Sequence, residues 1–151
     1  MSLCDTTMVE TLSNILISLL SKLLGGILVA VGLCLAATGI VSVFLPSYIL
    51  SLYEEIVSLK DLSYAVPIIF LHLWIGITCC FNGIYARSEH LKIVFMMSIT
   101  PLVCAFVLVS NWGLWSQFAS QALLGNAFLA VLLISNFFLN QYLLQDRPPS
   151  F

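Results

Sequence analysis

Few side chains in the uncharged parts of this chain are able to do chemistry. They are His72, the adjacent Cys79 and Cys80, the separate Cys34 and Cys104, and the amides Asn82, Asn126, Asn136 and Asn140. His72 lies ten residues into an uncharged stretch that begins at Leu62. An ionisable group kept in such surroundings is a functional candidate by default, because a neutral residue would cost less there. Two readings are open for it. It could face a lipid or quinone pocket in a redox role, or it could be a neutral imidazole hydrogen-bonded to Thr38, Ser42, Ser98 or Asn136. A haem held by two imidazoles needs both at one depth, whereas His90 falls in a charged loop on the order of 20 Å away along the helix direction. One chain does not supply both ligands.

Cys79 and Cys80 are neighbours, so on a helix they point to different faces and do not clamp a metal together. The acidic residues Asp5, Glu10, Glu54, Glu55, Asp61, Glu89 and Asp146 all sit at the ends of uncharged stretches or between them. No embedded carboxylate pair or proton relay results. No phosphate-binding loop, zinc motif or nucleophile elbow is present. These residues therefore predict neither an enzyme nor a cofactor beyond bound lipid. The four asparagines either line a polar cavity or hydrogen-bond between helices, the second being the commoner use.

The elements that must position these groups follow from where charge is missing. The 53 residues from Ile93 to Gln145 carry none, and neither do Leu23–Tyr53 and Leu62–Ala86. With 61% hydrophobic and 8% charged residues, the composition is far from that of a water-soluble domain. A crossing needs about 20 helical residues for a hydrocarbon core of roughly 30 Å. Spans are expected over about 23–45, 62–86, 93–110 and 118–144, the last two separated by a turn at Asn111-Trp-Gly-Leu-Trp-Ser-Gln117, where glycine, amides and interfacial tryptophans coincide. The fold expected is all-α: a four-helix transmembrane bundle in one domain, with an N-terminal amphipathic extension and a short interfacial helix in the first loop. In that loop Tyr48, Leu52, Ile56 and Leu59 share one apolar stripe, and in the extension Val9, Leu12, Ile15, Leu16, Leu19 and Leu23 do so.

Lys22, Arg87, Lys92 and Arg147 fall on one side of such a bundle and Lys60 alone on the other. This puts both termini in the cytosol, or in the matrix or stroma of an organelle. No basic patch suggests nucleic acid. The first span is expected to direct its own insertion. Cys34, Cys79, Cys80 and Cys104 read as thiols buried in spans, and Cys4 as a thiol on the reducing side with lipidation as a further use.

Helices in lipid associate where small side chains let backbones approach. Gly25, Gly32 and Gly39 are seven apart with Ala36 on their face. Gly76, Cys80 and Gly83 repeat the pattern on the second span, and Ala122, Gly125, Asn126 and Ala130 on the fourth. Packing within one bundle is the preferred use, ahead of docking a partner helix. Pro101 is expected to kink the third span.

The run Leu24-Gly-Gly-Ile-Leu-Val-Ala-Val-Gly32 with Gly39, the amphipathic first loop and the second span ending Gly83-Ile-Tyr-Ala-Arg87 resemble small four-span membrane proteins of the DoxX-like type, which include NACHO-like assembly chaperones. Cys79-Cys80 followed by Arg87-Ser-Glu89 is similar to tetraspanins, here without their large loop. Both resemblances imply helper or organiser roles. The function expected is a non-enzymatic accessory, assembly or scaffold subunit whose partners are other membrane protein subunits and lipid. The alternatives are a membrane protein binding lipid, quinone or another small molecule, and a small oligomeric channel or transporter.

Overall fold

Backbone that lies in hydrocarbon must satisfy its own hydrogen bonds, and uncharged stretches of this length do so as helices. The computed structural model describes residues 3–54, 65–86, 90–111 and 117–145, with side chains described over 11–49, 51, 65–86, 90–107 and 124–144. In chain order the helices are α1 (Leu3–Phe44), α2 (Pro46–Glu54), α3 (Ala65–Ile84), α4 (Leu91–Asn111) and α5 (Gln117–Gln145). No strand occurs among the described residues. Thr11–Phe44, Ala65–Ile84 and Leu124–Leu144 are long and apolar enough to cross a membrane, and Leu91–Val107 is a shorter apolar helix.

The boundaries have local causes. Pro46 disfavours helical backbone at Leu45, so α1 stops at Phe44 and the proline opens α2, a position where its missing N–H is not needed. The junction is tight: the Leu45 amide donates to the Val41 carbonyl and the Tyr48 amide to that of Leu45, each at 2.9 Å. Pro67 falls in the first turn of α3, where it is tolerated for the same reason. At the start of α4 the Val94 amide bonds the His90 carbonyl at 3.0 Å. Pro101 lies inside α4 and is buried.

α1 and α3 run antiparallel, with Gly25 opposite Gly83, Gly32 opposite Gly76 and Gly39 opposite Leu73. At 1.5 Å per residue the 42 residues of α1 extend about 63 Å and the 20 of α3 about 30 Å. α3 therefore covers α1 from about Gly25 onward, and the earlier part of α1 passes beyond it. α4 and α5 complete the bundle around a core of Leu28, Ile75, Cys79, Leu102, Ala105 and Leu133. Phe95 of α4 stacks on Phe137 of α5 with ring centroids 4.3 Å apart.

α1 is one uninterrupted helix, the N-terminal segment running on into the span. Two features differ from what the residue pattern suggests. In α2 the buried residue is Ile49, which packs with Ala65 and Ile68 at the start of α3, while Tyr48 is exposed. Folding α2 back on α3 turns the position next to Tyr48 inward; Ile56 and Leu59 lie outside the described residues. Cys34 is exposed on α1 rather than buried, because the Gly32 face of that helix is the one turned to α3.

Candidate functional site

The α1–α3 contact leaves no room for side chains at its centre. A Cβ on Gly32 would lie 2.6 Å from the Gly76 carbonyl oxygen and 2.7 Å from the Cys80 sulfur. One on Gly76 would lie 2.6 Å from the backbone nitrogen of Ala36. At Gly83 the added carbon would run into the Gly25 carbonyl oxygen and Val29. Gly39 would meet Leu73 at 2.7 Å, and Gly25 the Gly83 oxygen at 3.2 Å. Contact this close replaces the hydrophobic driving force that is missing between helices in lipid. The Cys80 thiol points across it at the Val29 carbonyl, 3.7 Å away.

Close to the Lys22 end of α1, polar side chains from all four long helices meet inside the bundle. Ser21 of α1 donates from its hydroxyl to Asn140 Oδ1 of α5 at 2.7 Å. Asn140 Nδ2 donates to the Asn136 carbonyl at 2.8 Å and to Asn136 Oδ1 at 3.0 Å. Asn136 Nδ2 reaches the backbone carbonyl of Asn82 on α3 at 3.2 Å. Asn82 Nδ2 in turn faces the Thr78 carbonyl at 2.9 Å, the Val94 carbonyl at 3.3 Å and the Ser98 hydroxyl of α4. Ser21, Asn82, Ser98, Asn136 and Asn140 are each at most 2% exposed. Groups this deeply buried are tolerated when hydrogen-bonded. Asn82 Oδ1 is the exception, a buried acceptor with no donor among the described residues.

Three of the four asparagines singled out from the sequence thus converge, while Asn126 is half-buried outside the network. Ser21 is the member that residue pattern does not reveal: it belongs to the polar face of the N-terminal segment, and its partner lies 119 residues away. Thr78 and Ser98 also bond carbonyls of their own helices, as hydroxyls in apolar helices commonly do.

His72 is half-buried on α3, and its Nδ1–H points at the Ile68 carbonyl at 2.9 Å, one turn back on the same helix. Nδ1 thus bonds a backbone carbonyl of its own helix. Twelve residues, about 18 Å of helix, separate His72 from Ile84, and His90 lies beyond that end, exposed beside α4. A groove of about 300 Å³ between α3 and α4 is lined by Thr78, Phe81, Tyr85, His90, Val94 and Met97, so the histidine at its wall is His90. Among the described residues no three His, Cys, Asp or Glu side chains converge as a metal site would require.

Gly125 departs from the packing role expected of it. It is exposed, and a Cβ there would meet no other atom of the described residues within 4 Å, although at eleven residues from Asn136 it lies within about 20° of the same face of α5. The side chain of Ala122 lies outside the described residues. Ala130 of the same expected seam does pack against the core.

Fold and site together define an all-helical membrane protein whose interior combines a glycine-lined helix contact with an asparagine network. No protein-family model, curated protein or solved structure matches the chain.

Proposed function

We propose that the chain is a non-enzymatic accessory, assembly or scaffold subunit of a larger membrane complex. In this reading it crosses the bilayer four times and keeps both termini on the cytosolic side, or its organellar equivalent. The observation that carries the proposal is how the polar side chains are distributed. Ser21, Asn82, Ser98, Asn136 and Asn140 hold the helices to one another, and much of the outward surface among the described residues consists of apolar side chains and open glycines. On α5 that surface includes Leu124, Gly125, Phe128, Val131, Phe138 and Tyr142. Gly125 leaves room for a partner helix to approach the α5 backbone, as small residues do in membrane contacts. The resemblance to DoxX-like and tetraspanin proteins agrees with a helper role.

Four crossings are supported by α4, whose 21 residues reach about 32 Å although its described apolar part is shorter. The positions of Lys22, Arg87, Lys92 and Arg147 support the orientation.

The test is mild solubilisation of the tagged full-length chain from its native membrane. The expected result is one or more other membrane polypeptides in fixed stoichiometry, released when Gly125 is replaced by tryptophan. Recovery free of other subunits, with a bound chromophore or with ion flux after reconstitution, would overturn the proposal in favour of a ligand-binding protein or a channel.

A further inference from the structure

α5 is tied to its neighbours near one end. Among the described residues two side-chain hydrogen bonds do so, Ser21 Oγ donating to Asn140 Oδ1 and Asn136 Nδ2 donating to the Asn82 carbonyl, while the bonds between Asn140 and Asn136 stay within the helix. Both ties lie close to where charge resumes. Lys22 follows Ser21, Asp146 comes six residues after Asn140, and α3 ends at Ile84, two residues past Asn82. Interfacial water is therefore within about two helical turns of Ser21, Asn82 and Asn140.

The forces for and against this arrangement are of similar size. Each tie joins neutral groups, and such bonds between membrane helices are individually weak because the separated groups find other partners. Against them stands Asn82 Oδ1, an acceptor on a side chain with no exposed surface and with no donor among the described residues. A buried acceptor left unpaired carries its desolvation penalty in full, comparable with the gain from one or two such bonds. Water reaching Asn82 removes that penalty, and Asn136 is the α5 side chain that lies against it. Apolar contacts hold α5 at the inner side of this point. Leu133 belongs to the core and Phe137 stacks on Phe95 of α4, whereas α1 and α3 are interlocked at backbone distance from Gly25 to Gly39.

We propose that the end of α5 from Asn136 to Leu144 is a latch with two positions. Closed, it bonds Ser21 and the Asn82 carbonyl. Open, it pivots about Leu133 and the Phe95–Phe137 stack, away from α1, and water entering from the Lys22 end hydrates Ser21, Asn140 and both oxygens of Asn82. α1 and α3 stay together throughout, because close apolar packing at Gly25, Gly32 and Gly39 has no hydrogen bond that water replaces. The latch is a property of one chain, so it stands or falls independently of the accessory role.

The experiment measures distances between spin labels, carried on unnatural amino acids, in the full-length chain reconstituted in lipid nanodiscs. One pair, at Leu20 and Tyr142, spans the latch, and a second, at Leu23 and Ile84, spans the glycine contact. All four positions are exposed, so the labels leave both contacts intact. Two distances are expected for the first pair and one for the second. Ser21→Ala is expected to raise the ratio of long to short about threefold, and the double variant with Asn136→Leu about tenfold, as one and two weak bonds are lost. The Leu23–Ile84 distance stays single in both, which verifies that they fold. Sucrose, excluded from protein surface, is expected to shift the first pair toward the short distance, since the open position exposes more of it. Moving the α5 label from Tyr142 to Phe138, also exposed, is expected to leave the ratio unchanged. A single short distance that neither variant alters, equal broadening of both pairs, indifference to sucrose, or a ratio that falls from Tyr142 to Phe138 as simple fraying would give, would each overturn the proposal.

Discussion

α3 and α5 both lie against α1, but they are held there by different means. α3 is seated by the absence of side chains: Gly25, Gly32 and Gly39 meet Gly83, Gly76 and Leu73 so closely that one extra carbon at Gly32 would press on backbone. α5 is tied by the presence of side chains, Asn136 and Asn140 reaching Asn82 on α3 and Ser21 on α1. The difference separates two solutions to one problem. Without water to drive helices together, contact comes either from many weak dispersion terms at short range or from a few hydrogen bonds. The first is intolerant of added volume and the second of lost polarity.

That contrast is broken most severely at the crossing point of α1 and α3. Gly32→Val is expected to destabilise by about 3 kcal/mol or more, above the usual range for overpacking, because the obstacles are the Gly76 carbonyl and the Cys80 backbone nitrogen rather than movable side-chain ends. Reversible unfolding in mixed micelles measures this. Gly39→Ala is the milder comparison, expected near 1 kcal/mol, since Leu73 can shift its side chain.

On the α5 side, Asn136→Leu is expected to cost about 1–2 kcal/mol. The change removes the donor to the Asn82 carbonyl and the acceptor for Asn140, in the range measured for hydrogen bonds between membrane helices. The same unfolding assay applies, and a loss as large as that of Gly32→Val would show that the two contacts are not different in kind. Ser21→Ala removes a single bond at the outer end of the network and is expected to cost about 0.6 kcal/mol. In hydrogen exchange, its effect should appear in the Leu139–Leu144 turn and not in α3.

These two regions were not equally legible in the amino-acid sequence. A glycine repeat of seven announces a helix contact without saying against what, and Gly25, Gly32 and Gly39 were readable because lipid makes small residues the signature of packing. Asn82, Asn136 and Asn140 were visible as polar groups in apolar helices, but the choice between a cavity and a network depends on which faces turn inward. Ser21 was hidden for a related reason. Its polarity matched the neighbouring Ser18 and Asn14, and only the reach of α5 to that level makes it interior. The expected stripe runs through Tyr48, one position from the buried Ile49, because a short helix has two nearly equivalent apolar edges and the fold-back onto α3 selects between them. The end of α1 was easier to read, because Pro46 acts locally on the residue before it.

Gly125 tests the contrast from the opposite direction, with the smallest effect. By residue type it belongs with Gly32, since both lie in apolar helices among other small residues. By position it does not, for Gly125 is exposed with nothing among the described residues against it, whereas α5 is held farther along, through Asn136 and Asn140. Gly125→Ala should therefore leave the isolated chain unaffected or stabilise it by up to about 1 kcal/mol, as the more helix-favouring residue does where nothing is crowded. A loss like that of Gly39→Ala in the purified single chain would place α5 against a neighbour through its small residues, and the division between a packed helix and a tied one would disappear. If instead the loss emerges only in the native membrane, the added methyl is being felt by another polypeptide. The same substitution then separates what holds this bundle together from what the bundle holds.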